Sequence, residues 1–212
     1  MDLPPAWIIA TLGFEEKYIV RCTLRYSTRF RIGGVTLYTA TPTDEYSEER
    51  VSNAFRQAVK VLGYMGIEPR LERMNPYRYL QNIEDLRRLI LEKARSGYVI
   101  VCITGGLRII GATLLSAALL LPSPPPRNVI VSIEHDVEQG YVEAPLEALE
   151  KLRSLSGREM LVYEAVKELG EAGPTDISRE LGIPKTSAWR ILNRLAERGL
   201  LVRSGRRFRA RT

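Results

Sequence analysis

The sequence predicts an α/β domain with a mostly parallel sheet, followed by a smaller helical domain that ends in a pair of strands. Its 212 residues exceed the usual size of a single domain. Strand-like and helix-like segments alternate over residues 1–143, which is typical of a parallel sheet. Residues 156–212 hold 12 Lys/Arg and 7 Asp/Glu, whereas the charges of the preceding residues nearly balance. We therefore expect domains at residues 1–143 and 156–212, joined by a helix at residues 144–155.

Five short apolar runs, bounded by turn residues, are the predicted strands of the first domain. They lie at residues 6–12, 34–41, 68–74, 98–104 and 128–134, and residues 140–143 form a possible hairpin partner. In a doubly wound sheet of order 3-2-1-4, the first and fourth strands are neighbours at the topological switch point. The loops that follow these two strands therefore share one crevice.

Helices are predicted between the strands. Apolar residues recur at helical spacing over residues 51–62, with Ser47 as the N-cap, and over residues 83–90, where Gly97 ends the helix. The apolar run at residues 109–121 is too short to span a bilayer and predicts a buried helix. Residues 121–128 are rich in proline, which has no N–H to donate, and so form a loop.

The predicted linker helix opens at Pro145 and carries a leucine at every third position. These residues are Leu146, Leu149, Leu152 and Leu155. Such a stripe fits packing within one chain, and it also fits pairing with the same helix of a second copy. The spacing does not separate the two interpretations.

The C-terminal domain is predicted as helix, helix, turn, helix and hairpin. Ser156 and Glu159 have the spacing of a capping box, so a helix begins there and runs to about residue 169. Helices at 175–181 and 185–198 follow on either side of Gly182, and two strands flank the turn at Ser204-Gly205. This order is that of a winged helix-turn-helix. Residues 177–202 resemble the MarR-like and ArsR-like winged-helix regulators.

A winged helix-turn-helix with this excess of positive charge is predicted to bind double-stranded DNA. The second helix of the pair enters the major groove in such motifs. We therefore expect that helix to contact DNA through Lys185, Thr186, Ser187, Arg190 and Arg194. The hairpin is expected to grip phosphates or the minor groove through Arg203, Arg206, Arg207, Arg209 and Arg211.

Two glycine-containing motifs follow the predicted first and fourth strands. They read Thr11-Leu-Gly13-Phe14 and Thr104-Gly105-Gly106-Leu-Arg108. Glycines let backbone N–H groups approach a ligand, and threonine hydroxyls and a guanidinium can bind an anion. Neither motif is a P-loop or a dinucleotide fingerprint, and glycines also permit tight strand-to-helix turns. The motifs alone leave an anion site and a purely structural turn open.

The two motifs, the apolar helix after the second one and the winged helix together resemble the archaeal CRISPR-associated transcription regulators that carry a CARF (CRISPR-associated Rossmann fold) domain. The resemblance covers essentially the full chain and implies a Rossmann-like sheet in residues 1–143. It also implies a homodimer through the CARF domains, with one symmetric pocket for a cyclic oligoadenylate and cyclic tetra-adenylate as the expected effector. The pocket residues that it implies are Thr11, Gly13, Phe14, Thr104, Gly105, Gly106 and Arg108, with the loop at residues 41–47 as a border.

The function predicted from this resemblance is a ligand-responsive transcription regulator of a CRISPR-Cas system, and not primarily an enzyme. Two other functions stay open. One is a ring nuclease, in which Arg108 and Thr104 would stabilise attack of a 2′-oxygen on the adjacent phosphate. The other is a metabolite-responsive regulator unrelated to CRISPR, with another anion in the same crevice.

The scarcity of cysteine and histidine limits the chemistry further. Cys22, Cys102 and the lone His135 are too few for a zinc framework, so we expect no metal site. Because neither glycine motif is a P-loop or a dinucleotide fingerprint, we also expect no cofactor, and no residue is assigned as catalytic. His135 is interpreted as a structural residue. No stretch has the pattern of a signal peptide, and two thiols do not make a secreted disulfide scaffold. We therefore expect a cytoplasmic protein with reduced cysteines and no membrane partner.

Overall fold

The computed structural model of the chain describes residues 3–135 and 140–210. The chain divides into two compact units, Met1–Glu147 and Ala148–Thr212. The strands of the first unit are β1 (Pro5–Thr11), β2 (Arg31–Ala40), β3 (Pro69–Met74), β4 (Tyr98–Ile103), β5 (Val129–Glu134) and β6 (Tyr141–Pro145). Its helices are α1 (Lys17–Ser27), α2 (Glu45–Gly63), α3 (Tyr79–Ala94) and α4 (Arg108–Leu119), and the boundary between the units lies within α5 (Leu146–Arg153).

The first unit has the predicted Rossmann-like fold. Its strands lie in the order β3-β2-β1-β4-β5-β6, with β1 to β5 parallel and β6 antiparallel to β5. Helix α1 packs beside α2, and α3 packs beside α4. Val99, Ile100, Val101 and Cys102 in β4 are fully buried, which explains why this strand is apolar at every position. The predicted α/β fold is confirmed, and β1 and β4 are hydrogen-bonded neighbours.

Helix α2 begins earlier than the sequence predicted. Its N-cap is Asp44, whose carboxylate accepts hydrogen bonds from the Ser47 amide at 2.7 Å and the Ser47 hydroxyl at 2.9 Å. Ser47 therefore lies within the first turn, and its prediction as the N-cap is wrong. Asp and Ser are both favourable N-cap residues, and Asp44 takes this position because its carboxylate accepts a hydrogen bond from a free amide of the first turn.

Gly97 has a different role from the predicted one. Helix α3 ends at Ala94, and Gly97 lies beside β1, where a Cβ would come within 2.4 Å of the Pro5 carbonyl oxygen. It would also press against the Trp7 ring, at 2.6 Å. The glycine is thus needed for the close approach of two chain segments and does not end the helix.

The linker segment also differs from its prediction at both ends. Pro145 ends strand β6, and α5 begins one residue later and stops at Arg153. Leu146 is buried, and Leu152 and Leu155 pack against the core of the second unit. Packing within one chain therefore accounts for these three leucines.

The second unit contains the winged helix that the sequence predicted. Its elements are α6 (Gly157–Leu169), β7 (Glu171–Ala172), α7 (Pro174–Leu181), α8 (Lys185–Glu197), β8 (Leu201–Ser204) and β9 (Arg207–Ala210). The capping box at the start of α6 is present, because the Ser156 amide donates to Glu159 at 2.9 Å and the Glu159 amide donates to Ser156 at 3.3 Å. The strand β7 was not predicted, since two residues carry too little pattern to recognise.

The core of the second unit forms around Phe208, which is fully buried on β9. Apolar side chains of α6, α7 and α8 surround it, among them Val162, Ile177 and Leu192. Gly182 ends α7 at φ +63°, the left-handed conformation that the turn of the motif requires. These contacts fix α8 and the β8–β9 hairpin on one small scaffold.

Cys22 of α1 and Cys102 of β4 are paired as a disulfide in the core of the first unit. The expectation of two reduced thiols is therefore wrong for this structure. The two residues are 80 positions apart in sequence, so their spacing gave no signal of the pairing. Their sulfurs and the carboxylate of Glu134 lie within 4.8 Å of one another. The Glu134 carboxylate accepts two hydrogen bonds from the guanidinium of Arg25.

None of the helices in the described part of the chain combines the length and the apolar composition that a bilayer crossing requires.

Candidate functional site

The carboxyl ends of β1 and β4 are joined by a buried cluster of threonine hydrogen bonds. The amides of Thr104 and Gly105 donate to Oγ1 of Thr11 at 3.0 and 3.2 Å. The hydroxyl of Thr104 donates to the backbone carbonyl of Thr11. Both side chains are buried, so their hydroxyls hold the two strands together beneath the loops. The sequence predicted these groups as ligand contacts, and their visible role is to position the loops that follow.

The two loops above this cluster touch through glycine backbones. A Cβ on Gly13 would lie 2.5 Å from the amide nitrogen of Gly106, and a Cβ on Gly106 would lie 2.8 Å from the carbonyl oxygen of Leu12. Gly106 also has φ +92°, which favours glycine. Gly105 is different, since the nearest atom to its Cβ position is in the Tyr18 ring at 3.9 Å. Gly13 and Gly106 are therefore required by loop packing, whereas Gly105 is not.

A cavity of about 550 Å³ opens where the loops after β1, β2 and β3 meet. Its volume is in the range of small-molecule sites. The predicted residues Gly13, Phe14 and Gly106 line it, together with Thr41, Pro42, Thr43 and Ser47 of the predicted bordering loop. Phe14 is half exposed, and the guanidinium of Arg50 lies 4.1 Å from the centre of its ring. This arrangement supplies an aromatic face with a cation beside it.

The loop after β3 contributes residues that the sequence analysis missed. Asn75, Pro76 and Tyr77 line the same cavity, and the side chain of Tyr77 is 91% exposed at its rim. The sequence pattern could have indicated this loop, because the carboxyl ends of all parallel strands lie on one edge of the sheet. The predicted pocket included the loops after the first, second and fourth strands, and the loop after the third strand was left out because it contains no glycine motif.

A second cleft, of about 370 Å³, lies on the other side of the β4–α4 loop. Thr104, Gly105 and Arg108 line it, together with Ile133 and Glu134 of β5. Gly106 and Leu107 line both clefts, so this loop is the wall between them. The predicted ligand residues are therefore divided between two adjoining clefts, and Thr11 lines neither.

Arg108 occupies an electrostatically unfavourable position at the first residue of α4. The N-terminal end of a helix carries partial positive charge, and α4 has no acidic residue in its first turn. The side chain of Arg108 is exposed and has no ion pair or hydrogen bond within residues 3–135 and 140–210. A second positive charge at this point favours the binding of an anion.

The floor of the second cleft is fixed by an ion pair. Arg25 of α1 donates to both oxygens of Glu134, at 2.6 and 3.0 Å, and the side chain of Glu134 is fully buried. The ring of Tyr141 covers the Arg25 guanidinium at 3.5 Å. Tyr26 donates to Glu143 at 2.7 Å, and burial raises the pKa of its phenol. These contacts hold α1 against β5 and β6.

The exposed face of α8 carries the residues that the sequence predicted for DNA contact. Lys185, Thr186 and Arg190 are exposed, and Ser187 is half buried. Ala188, Leu192 and Leu195 on the opposite face are buried in the core. Lys185 and Arg190 have no ionic partner within the described residues, so their charges are available to a phosphate or a base.

Three of the predicted arginines are engaged within the second unit. Arg194 pairs with Glu159 at 3.2 Å. Arg203 donates to Asn193 at 3.2 Å, and its guanidinium lies 4.8 Å from the centre of the Trp189 ring. Arg207 donates to the Glu171 carboxylate at 3.1 Å and to the Glu171 carbonyl at 2.9 Å, and it lies 3.7 Å from Asp176.

The remaining arginines of the hairpin are exposed. Arg206 lies in the two-residue turn between β8 and β9, next to Gly205 at φ +61°, and Arg209 lies on β9. Neither has an ion pair or a side-chain hydrogen bond in the described part of the chain. Arg211 lies outside the described residues. The described hairpin arginines therefore form two groups. The guanidinium groups of Arg203 and Arg207 contact other residues of the second unit, and only that of Arg207 is paired with carboxylates, whereas Arg206 and Arg209 carry charges without such contacts.

Two family models match the chain. Residues 6–145 match the model described as Csa3 CRISPR-associated Rossmann-like domain. Residues 149–210 match the model described as sugar-specific transcriptional regulator TrmB. No curated protein matches the chain.

Among solved structures, the chain is similar to the crystal structure of protein VC1899 from Vibrio cholerae. The two share 14% sequence identity with a TM-score of 0.43, over 98% of this chain and 62% of that chain. The chain thus spans about three fifths of the length of this solved structure.

Proposed function

Since this chain belongs to the family with the Csa3 CRISPR-associated Rossmann-like domain and ends in a winged helix of the transcription-regulator type, we propose that it senses a cyclic oligoadenylate. The protein is a CRISPR-associated, CARF-containing DNA-binding transcription regulator. Cyclic tetra-adenylate is the effector that we propose for it. The observation that carries the proposal is the pair of clefts on either side of the β4–α4 loop.

The first cleft has the chemistry that an adenine base requires. Phe14 and Tyr77 offer exposed aromatic faces for stacking, and Thr41, Thr43 and Asn75 offer donors and acceptors for the base edges. Stacking on an aromatic side chain contributes about 1–3 kcal/mol per base. One base and its ribose therefore fit this cleft, with the base at the aromatic rim.

The second cleft has the chemistry of a phosphate site. Arg108 lies at the N-terminal end of α4, where the helix dipole adds to its charge. A phosphate that follows the base across Gly106 and Leu107 would reach this guanidinium. The ligand thus spans the loop, and the threonine cluster below keeps that loop rigid.

A complete ring needs more than one copy of the chain. A cavity of about 550 Å³ suits a ligand of drug size, and a cyclic tetranucleotide is larger. We infer a homodimer through the first unit, in which each copy supplies one pair of clefts to a symmetric ligand. The apolar side chains of Leu107, Ile109, Leu120 and Ile133 are exposed near α4 and suit contact with a second copy. A monomeric mass in solution at micromolar concentration would contradict this interface.

Regulation requires that the ligand bind two conformations of the dimer with different affinity. The differential binding energy then shifts the spacing of the two winged helices and changes their affinity for CRISPR-related promoters or repeats. By reciprocity, DNA would change the affinity for the cyclic nucleotide by the same factor.

Calorimetric titration with cyclic tetra-adenylate tests the proposal, with linear tetra-adenylate as the ligand control. The matched variant pair is Arg108→Ala and Arg95→Ala. Arg95 is also exposed, but it caps the C-terminal end of α3 at the opposite edge of the sheet. We expect one ring per dimer, with binding reduced at least tenfold in Arg108→Ala and unchanged in Arg95→Ala.

Three results would contradict the assignment. Absence of binding to cyclic tetra-adenylate, with binding of another phosphorylated metabolite, would favour the metabolite-responsive regulator. Equal losses of binding affinity in Arg108→Ala and Arg95→Ala would show that Arg108 does not contact the ligand. Sustained conversion of the ring to linear products, detected by chromatography of the titration mixture, would identify a ring nuclease.

A further inference from the structure

A small cavity in the second unit lies where the first turn of α6 meets the exposed face of α8. Its volume is about 200 Å³. The side chains that line it are Ser156, Arg158, Glu159, Ser187, Arg190, Ile191 and Arg194. Three of these residues are arginines and two are serines. Arg158 belongs to α6, a helix to which the sequence analysis assigned no DNA contact.

Glu159, the acidic residue of this cavity, does not neutralise the charges of Arg158 and Arg190. The Ser156 amide donates to Glu159 at 2.9 Å and, with the Ser156 side chain and Arg194, holds the pKa of that carboxyl below its usual value. Arg194 and Arg198 lie 3.2 and 3.8 Å from its oxygens. Glu159 is 5% exposed and remains ionised inside this internal cluster.

Arg158 and Arg190 are the two arginines of the cavity that are not paired with Glu159. Both are exposed, and neither has an ion pair or a side-chain hydrogen bond in the described part of the chain. Two like charges at one cavity repel each other, and an anion bound between them would offset this repulsion by attracting both. The hydroxyl of Ser187 adds a neutral donor at the same place. A tetrahedral oxyanion has the charge and the acceptors to bind all three side chains.

We propose that this cavity holds a backbone phosphate of the bound DNA between Arg158 and Arg190, with Ser187 as a further donor. The cavity shares Ser187, Arg190 and Arg194 with the exposed face of α8, so it lies beside the surface that would enter the major groove. The inference rests on the proposed DNA-binding function and adds α6 to the contact surface. Contacts to phosphates fix the orientation of a protein on the duplex and carry no direct sequence information.

This role separates Arg158 from the residues that read bases. Loss of a phosphate contact weakens binding to every sequence alike and removes one counterion-release contribution from the salt dependence. With a slope contribution of about 0.9, the expected loss of affinity is about eightfold at 0.1 M salt and falls as salt rises. A base contact would instead lower the discrimination between sequences.

The matched variant pair is Arg158→Ala and Lys167→Ala, measured with fluorescently labelled 30-base-pair duplexes of several unrelated sequences between 0.05 and 0.4 M salt. Lys167 is an exposed cation on the same helix, about two and a half turns away and therefore on the opposite face. Both variants lose one positive charge. Arg158→Lys, which keeps the charge, and a thermal melt of each variant control for misfolding.

We expect Arg158→Ala to lose about eightfold in affinity at 0.1 M salt for every duplex and about 0.9 in the salt slope, while Lys167→Ala stays within twofold of wild type. Equal behaviour of the two alanine variants would overturn the phosphate site while leaving DNA binding intact. A loss confined to some sequences would make Arg158 a base contact and would also overturn it. Failure of the wild-type protein to bind any duplex would contradict DNA binding itself.

Discussion

The two neighbouring arginines of the hairpin, Arg206 and Arg207, should differ in their effect on DNA binding. Arg206 lies in the exposed turn without an ionic partner in the described part of the chain. Arg207 donates to Glu171 at 3.1 Å and lies 3.7 Å from Asp176, so two carboxylates already compensate its charge. Only a charge that exchanges counterions for a DNA phosphate contributes to the salt slope. We therefore expect Arg206→Ala to change the slope and Arg207→Ala to change mainly the stability of the hairpin.

The magnitudes follow from the two kinds of contact. One lost phosphate contact lowers the salt slope by about 0.9, which is about eightfold in affinity at 0.1 M salt and about twofold at 0.4 M. An exposed ion pair contributes about 0–1 kcal/mol to stability, and the hydrogen bond from Arg207 to the Glu171 carbonyl adds about 1 kcal/mol. Arg207→Ala should thus destabilise the second unit by about 1–2 kcal/mol and shift the slope by less than half of the Arg206→Ala effect.

The assay is a fluorescence-anisotropy titration of one labelled duplex at five salt concentrations, with denaturant unfolding of each variant. Arg206→Lys serves as the control, because it keeps the charge and should keep the slope. A slope change for Arg207→Ala as large as that for Arg206→Ala would refute the reasoning, since it would mean that the paired charge is the one that contacts the phosphate.

Three further predictions concern the clefts and the start of α6. Gly13→Ala should lower the melting temperature and abolish binding of cyclic tetra-adenylate, because the new Cβ would lie 2.5 Å from the backbone nitrogen of Gly106. Gly105→Ala, the control, should melt like wild type, and similar melting of the two variants would contradict the loop packing. Arg25→Ala should destabilise the first unit by about 3 kcal/mol in urea unfolding, because it leaves the fully buried Glu134 carboxylate without its bidentate partner. A change below about 1 kcal/mol would show that the first unit does not depend on this ion pair. Hydrogen bonds from Ser156 depress the pKa of Glu159, so its contribution to stability is present above the unfolded pKa of about 4.3 and is lost as pH falls through the lower folded value. Protection of the α6 amides against hydrogen exchange, taken relative to the intrinsic exchange rate at each pH, should accordingly fall in acid for wild type and fall less for Glu159→Gln. Equal pH dependence of the protection in the two proteins would refute the assignment.

The fold of both units was recoverable from the sequence because its signals are local. Alternating strand and helix patterns, with short connections, restrict the first unit to a doubly wound sheet. The capping box at Ser156 and the turn glycines Gly182 and Gly205 mark the ends of the elements in the second unit. Where two local signals competed, as at Asp44 and Ser47, the sequence placed the helix start three residues late.

The candidate site was recoverable only in part. The rule that ligands bind at the carboxyl ends of parallel strands located the edge of the sheet and the motifs at Gly13 and Gly106. Whether a side chain faces a ligand or a neighbouring strand depends on contacts between residues far apart in sequence. Thr11 and Thr104 lie 93 positions apart, and their mutual hydrogen bonds were invisible to any local pattern.

The sequence by itself determined the order of the elements, the fold class of each unit and the location of the positive charge. Periodicity, caps and turn residues act over a few positions, so they can be read along the chain. The tertiary structure alone decided the contact that requires Gly97, the pairing of Cys22 with Cys102, and the division of the hairpin arginines into paired and free charges. Each of these depends on which distant residue the completed fold brings into contact, because packing and electrostatic energies depend on distance in space and not on distance along the chain.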